Sequence, residues 1–115
     1  MGIFSGVGAS GTVGPASGGK TTGLNNVGTT GAQVIAANPA RVNITFHNPG
    51  TVNVFVYPLR NASGGTNAPT NALPGGAYVV YPAASITMAG ECQGAWGAFA
   101  VSGGTNPLTI SESNL

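Results

Sequence analysis

The stretch RVNITFHNPGTVNVFVYP, residues 41–58, decides the fold class of this chain. In its first part, 41–48, the apolar side chains Val42, Ile44 and Phe46 alternate with polar ones. Successive side chains of a β-strand point to opposite faces of the sheet, so strict alternation predicts a half-buried strand. Its predicted polar face carries Arg41, Asn43, Thr45 and His47.

A turn and a second strand follow directly. Asn48-Pro49-Gly50-Thr51 combines residues that favour turns, and VNVFVYP, 52–58, is rich in residues that favour strands. The valines form one face of this strand, whereas Phe55 and Tyr57 make the other face aromatic. A strand that is apolar on both faces is expected to be covered on both sides.

Short runs of the same kind fill the rest of the chain. They are AQVIAA (32–37), AYVVYP (77–82), SITMAG (85–90), AWGAFAVS (95–102) and PLTISES (107–113). Residues 60–76 are rich in Gly, Asn and Pro, and loops of this length are commonly functional or disordered. No segment has a convincing helical face. The spacing predicts an all-β domain over 29–115, a small β-sandwich or jelly roll of about seven to eight strands.

Residues 1–28 differ in composition from the rest of the chain. They are mostly Gly, Ser and Thr with few larger apolar side chains, which is typical of a flexible tether. Two interpretations stay open for this predicted arm. It is either plain disorder, or a segment that orders on a neighbouring subunit with Ile3 and Phe4 as anchors.

Charged residues are almost absent. Only 4% of the 115 residues are Asp, Glu, Lys or Arg, and the net charge is +1, whereas an average domain has about 25%. The whole set is Lys20, Arg41, Arg60, Glu91 and Glu112. Without a basic patch, nucleic-acid binding is disfavoured. A surface so poor in charge is poorly protected against association, so the composition favours a part that works packed against other protein.

Cysteine count and apolar runs narrow the class further. Cys92 is the only cysteine, so an intramolecular disulfide cannot form. No apolar run approaches the ~18 residues that span a bilayer, and we expect no membrane partner.

GPASGGKT, residues 14–21, formally matches the phosphate-binding loop motif G-x-x-x-x-G-K-[ST]. That loop needs a buried strand before it, a helix after it and an acidic residue for magnesium. GVGASGTV precedes Gly14, TGLNNVGTTG follows Thr21, and the chain contains no Asp. We therefore expect no nucleotide cofactor.

Residue types for catalysis or metal binding are scarce. Ser or Cys92 could combine at most with His47 and a Glu, and Cys92 has no adjacent basic residue to activate it, so it is expected to be inert or buried. Glu91 and Glu112 are the bare minimum for glycoside chemistry. A zinc site would need three copies of His47 around a symmetry axis. The sequence predicts no enzyme, no cofactor and no metal site.

Aromatic residues offer one more possibility. A sugar-binding platform could use Tyr57, Tyr78, Tyr81 and Trp96. For Trp96 a place in the core explains the residue better, because sandwich cores often contain one large aromatic side chain.

Residues 28–58 resemble small β-sandwich proteins of tailed-bacteriophage virions in their order of turns and strands. The matching elements are Gly28-Thr29-Thr30, Asn38-Pro39 with Arg41, Asn48-Pro49-Gly50, Val52 to Val56, and later Leu73-Pro74-Gly75-Gly76 leading into Ala77-Tyr78. The resemblance covers about half of the chain and departs from the family in the Gly-rich arm.

The resemblance implies a virion structural role, frequently as a homotrimer. The leading hypothesis is a capsid decoration, or cement, protein that binds the major capsid protein of the assembled head. The alternative is a head-fibre or tail component that contacts a host surface or glycan. The arm and the 60–76 loop are the predicted partner contacts, with Ile3, Phe4, Lys20, Arg60, Asn61, Asn67 and Asn71 as candidate residues.

Overall fold

The computed structural model describes residues 18–24, 26–60, 65–70, 75–90 and 92–115. Within these residues the chain forms eight β-strands and no helix. The strands are β1 (Gly18–Leu24), β2 (Ala32–Ile35), β3 (Arg41–His47), β4 (Val54–Pro58), β5 (Tyr78–Val80), β6 (Ser85–Met88), β7 (Trp96–Ala100) and β8 (Leu108–Asn114). Every strand predicted from the sequence is present; most are shorter than predicted, whereas β8 continues one residue beyond its predicted end.

The strands form two antiparallel four-stranded sheets. Sheet A has the order β1-β8-β3-β6, and sheet B has the order β2-β7-β4-β5. The pairs β1 with β8, β2 with β7, β3 with β6 and β4 with β5 are all present, as in a long hairpin folded over on itself. This connectivity is that of a jelly roll, so the predicted fold class is confirmed.

The sandwich has two ends, named here after the buried residues that organise them. At the Arg41 end, β1 and β3 begin and β8 ends, since Gly18 and Arg41 both pair with Asn114. The connections β2–β3, β4–β5 and β6–β7 lie at this end. The opposite Asn48 end carries the connections β3–β4, β5–β6 and β7–β8.

The core lies between the inner faces of the two sheets. Ile44 and Phe46 of β3 face Trp96 of β7, and the Phe46 and Trp96 rings lie 5.2 Å apart. The other buried members are Val27, Val54, Val56, Val80, Cys92, Ala98, Ala100, Leu108 and Ile110. Trp96 is fully buried, which confirms its predicted place in the core.

The sandwich begins earlier than the predicted boundary at residue 29. β1, Gly18–Leu24, lies inside the predicted arm and pairs with β8 along its whole length. Val27 is buried in the core, and Asn106 fixes its backbone through hydrogen bonds in both directions. The sequence of β1, GGKTTGL, shows no alternation of apolar and polar residues, so it does not predict a strand. Residues 1–17 of the predicted arm lie outside the described residues.

One end of β3 departs from the predicted alternation. The β3–β8 register shifts between Arg41 and Asn43, which is a β-bulge. Beyond an extra residue the alternation of faces is reversed, so Arg41 is buried with 1% exposure and Val42 is only half-buried. Arg41 was predicted on the polar face, and that prediction is wrong.

The outer face of sheet B carries an aromatic layer formed by Phe55, Tyr57 and Phe99. The Phe55 and Phe99 rings stack with centroids 5.1 Å apart, and Tyr57 lies 6.2 Å from Phe99. Phe99 is fully buried and Tyr57 is 3% exposed, so the prediction that β4 is covered on both sides is confirmed. Gly31 and Gly97 make room for the Tyr57 ring, because a Cβ at either position would lie under 3 Å from it.

In the described part of the chain, no helix is long and apolar enough to cross a membrane.

Candidate functional site

A buried ion pair organises the Arg41 end. Nε of Arg41 donates to Oε1 of Glu112 over 2.9 Å, and both side chains are almost completely buried. Glu112 points inward because it follows Leu108 and Ile110 on the apolar face of β8. A charge pair inside a protein must have its remaining donors and acceptors satisfied to be tolerated.

The Arg41 guanidinium satisfies this requirement with backbone carbonyls. It donates to the carbonyls of Ala36, Cys92 and Gly94, with the Ala36 bond at 2.7 Å and the Gly94 bond at 3.0 Å. Ala36 follows β2, and the other two acceptors lie in the β6–β7 connection. Arg41 therefore fastens the start of β3 to the β2–β3 and β6–β7 connections, which both join sheet A to sheet B.

Asn38 completes the cluster. Its side-chain amide donates to Oε1 of Glu112 at 3.2 Å and to Oδ1 of Asn114 at 3.1 Å, while its own Oδ1 accepts from the backbone of Ala40. The Asn38-Pro39-Ala40-Arg41 turn closes with a 3.1 Å bond from Arg41 N to the Asn38 carbonyl. The predicted turn is thus also a support for the carboxylate.

An open groove of about 600 Å³ lies at this end of sheet B. The hydrogen bonds of Arg41 lie next to this groove. Gly94, one of the carbonyl acceptors, lines it, and so do Ala37 and Gln93, which neighbour the other two acceptors. The lining residues are Gln33, Ala37, Pro58, Leu59, Arg60, Thr66, Gly90, Gln93, Gly94 and Ala95. The lining therefore combines apolar side chains with amide, hydroxyl and guanidinium groups.

The β4–β5 loop is anchored beside the groove. Asn67 donates its backbone N–H to the Leu59 carbonyl at 2.8 Å and its side-chain amide to the Pro58 carbonyl at 2.7 Å. Arg60 and Thr66 form an isolated antiparallel bridge, and Pro69 is buried. These contacts hold the described parts of the loop against the body of the sandwich.

The predicted contact residues in the described part of the chain lie at or near this same end. Lys20 is in β1, opposite Glu112 in the register, Arg60 is exposed at the groove, and Asn67 has the internal role just described. The other candidates, Ile3, Phe4, Asn61 and Asn71, lie outside the described residues. The start of β1 and the 60–76 loop are far apart in the sequence, but both lie at the Arg41 end of the sandwich.

The outer face of sheet A is a second candidate surface, called here the hydroxyl face. Hydrogen bonds of 2.8 Å join Thr45 to Thr87 and Nδ1 of His47 to Ser85 across β3 and β6. Thr109, Ser111 and Ser113 of β8 continue the face on the neighbouring strand. The face is polar but carries no formally charged side chain among these residues.

The phosphate-loop motif does not form a phosphate loop. Gly18 to Thr21 lie in β1, paired with β8 residue by residue, whereas the motif requires the start of a helix at this point.

Neither Glu112 nor Cys92 is arranged for catalysis. Glu112 is held by Arg41 and buried, and the Cys92 thiol is buried as predicted, 3.5 Å from the Arg41 carbonyl. In the ranges that the structure describes, no group of His, Cys, Asp and Glu residues could hold a metal ion. The described residues do not test whether three copies of His47 meet on a symmetry axis.

The predicted sugar platform is not assembled as a group of four. Trp96 is in the core and Tyr57 is in the aromatic layer, where burial raises the pKa of the Tyr57 hydroxyl above its ordinary value. Tyr78 and Tyr81 are exposed by 41% and 58%. These two are the remaining candidates for contact with a sugar ring.

Sequence reasoning missed the buried polar residues that organise both ends. Asn48 is fully buried and donates to the carbonyls of Val52 and Val80 while accepting from Gly50 N. For Asn48 the only signal was its place in an Asn-Pro-Gly turn. The burial of Glu112 could have been predicted, because it lies two residues after Ile110 and four after Leu108 and so falls on the apolar face of the strand.

No protein-family model matches the sequence, and no curated protein matches it. A solved structure from work on Bacillus endospore appendages, which form a novel family of disulfide-linked pili, is similar in fold. The match has 13% identity and a TM-score of 0.47, and covers 84% of this chain and 88% of that one. A likeness of this degree carries no argument about function.

Proposed function

We propose that this chain is a structural subunit of a bacteriophage virion, a capsid decoration protein that self-associates as a homotrimer and binds the assembled head. The observation that carries the proposal is the distribution of charge. The chain has five charged side chains (3 + 2), and two of them, Arg41 and Glu112, form a buried ion pair. At most three (5 − 2) are left for the surface, namely Lys20, Arg60 and Glu91.

Such a surface suits permanent contact with other protein. Moving a charged side chain out of water into a protein interface costs on the order of several kcal/mol unless the charge is paired there. A face without charges avoids this cost when it packs against a capsid. The same face gives little electrostatic protection against association when the protein is free in solution.

The hydroxyl face and the Arg41 end are the surfaces that support the proposal. The hydroxyl face presents side chains that can exchange hydrogen bonds with water for hydrogen bonds with a partner. At the Arg41 end, the start of β1, the long loop and the groove lie together, which gives one partner several points of contact.

The proposal is tested by binding to assembled particles. Purified protein is incubated with heads that lack it and with unassembled major capsid protein, and co-sedimentation is measured for both. Binding to assembled heads alone is expected. Absence of binding to heads would contradict the proposal.

A specific observation favours a second candidate, a fibre or tail component that binds a glycan. Tyr78 and Tyr81 expose their rings near β5, and such rings stack on sugars. Binding on a glycan array that is lost in Tyr81→Ala, without binding to heads, would favour this second function.

A further inference from the structure

We infer that residues 1–17 of one copy bind in the groove at the Arg41 end of a second copy. This inference rests on the self-association in the proposed function and not on a place in the virion. Its occupant is a segment of this same chain.

Gly18, the first residue of β1, lies at the end of the sandwich that carries the groove. Gly18 pairs with Asn114, which also pairs with Arg41, so the N-terminal segment joins the fold at the Arg41 end. β1 runs from this end toward the Asn48 end. Extended at about 3.3 Å per residue, this segment reaches up to about 56 Å, enough to enter a groove on a molecule set against that end.

The groove is prepared for an occupant before binding. Arg41 donates hydrogen bonds to the carbonyls of Ala36, next to the lining residue Ala37, and of Gly94, which itself lines the groove. One buried side chain therefore holds two segments of the groove in place. A pre-organised site loses less conformational freedom on binding than a mobile one. Its volume of about 600 Å³ lies in the usual range for binding pockets.

The chemistry of the groove matches an uncharged peptide. Its lining includes the apolar residues Leu59 and Ala95 and the side-chain amide of Gln33, which can bond to a peptide backbone. Gly94 lets that backbone approach closely, because it has no side chain. The segment 1–17 contains no charged side chain and supplies Ile3 and Phe4 as apolar anchors.

The test is photo-crosslinking within the full chain. Phe4 is replaced by the photoreactive analogue p-benzoylphenylalanine, and 14N- and 15N-labelled protein are mixed, irradiated and digested with trypsin. Because trypsin cleaves after Lys20, Arg41 and Arg60, the N-terminal segment and the groove fall on different peptides. We expect crosslinks that combine both isotopes and join peptide 1–20 to groove-lining residues of peptides 21–41, 42–60 or 61–115.

A matched pair of variants controls for the groove. A Cβ added at Gly94 or at Gly103 would meet no atom within 4 Å, but only Gly94 lines the groove. Gly94→Phe is expected to lower the mixed-isotope crosslinks by about tenfold or more through a clash with the occupant. Gly103→Phe, placed at the Asn48 end, is expected to leave them unchanged.

The outcomes separate this inference from the proposed function. Crosslinks confined to one isotope, crosslinks outside the groove, or crosslinks that persist in Gly94→Phe overturn the inference. If wild-type protein still sediments as an oligomer in those cases, self-association stands. A wild-type chain that is monomeric at all concentrations overturns both.

Discussion

Replacing Arg41 by Met should be among the most damaging single changes in this protein. Met keeps an unbranched apolar stem but removes the guanidinium. Glu112 would then stay buried without its charge partner, and the carbonyls of Ala36, Cys92 and Gly94 would lose a charged donor.

The expected loss of unfolding free energy is about 3–5 kcal/mol, the range measured when one member of a buried ion pair is removed. A domain of this size has about 5–15 kcal/mol in total, so the variant is expected to be close to unfolding. The double variant Arg41→Met/Glu112→Leu removes the stranded carboxylate. It is expected to be more stable than Arg41→Met alone, because an apolar pair replaces an unpaired charge.

Urea denaturation followed by Trp96 fluorescence measures both quantities, since Trp96 is the only tryptophan and is fully buried. Arg60→Met is the control, because Arg60 is exposed and its removal should cost about 0–1 kcal/mol. A loss below about 1 kcal/mol in Arg41→Met, or a double variant less stable than the single one, would refute the reasoning.

Two further changes test other parts of the fold. Ala83 has φ 65° in the turn that is closed by the hydrogen bond from Ala84 N to the Tyr81 carbonyl. A side chain in this left-handed conformation costs about 1–2 kcal/mol, so Ala83→Gly should raise the unfolding free energy. Ala84→Gly should lower it, and thermal denaturation measures both changes. Equal effects of the two glycines would contradict this account. Burial raises the pKa of Tyr57, so above about pH 10 the unfolded chain releases this proton more readily than the folded one. Wild-type stability should therefore fall more steeply with rising pH than that of Tyr57→Phe, and parallel pH profiles would count against it.

Strands such as β3, and which of their side chains face the core, could be predicted because apolar and polar residues alternate along them. Ile44 and Phe46 in β3 lie where period-two reasoning places them, and Trp96 lies in the core as its size predicts. β1 could not be predicted in this way, because its residues contribute through backbone pairing with β8. The bulge that buries Arg41 depends on the register with β8, which no local pattern of β3 contains.

The candidate site could be predicted only in part. Composition pointed to the N-terminal segment and the long loop, but their meeting at the Arg41 end follows from the jelly-roll connectivity. The groove forms from three separate connections and has no signature in any one of them. The internal role of Asn67 likewise depends on carbonyls of β4 and its exit that only the folded chain brings near.

The most direct test of a structural role in the head is the copy number of this protein per purified particle. Quantitative mass spectrometry against the major capsid protein gives that ratio. A capsid decoration protein is expected in a number that scales with the capsid lattice, in the hundreds or on the order of one trimer for each repeating site of the shell. A handful of copies, or none, would contradict it.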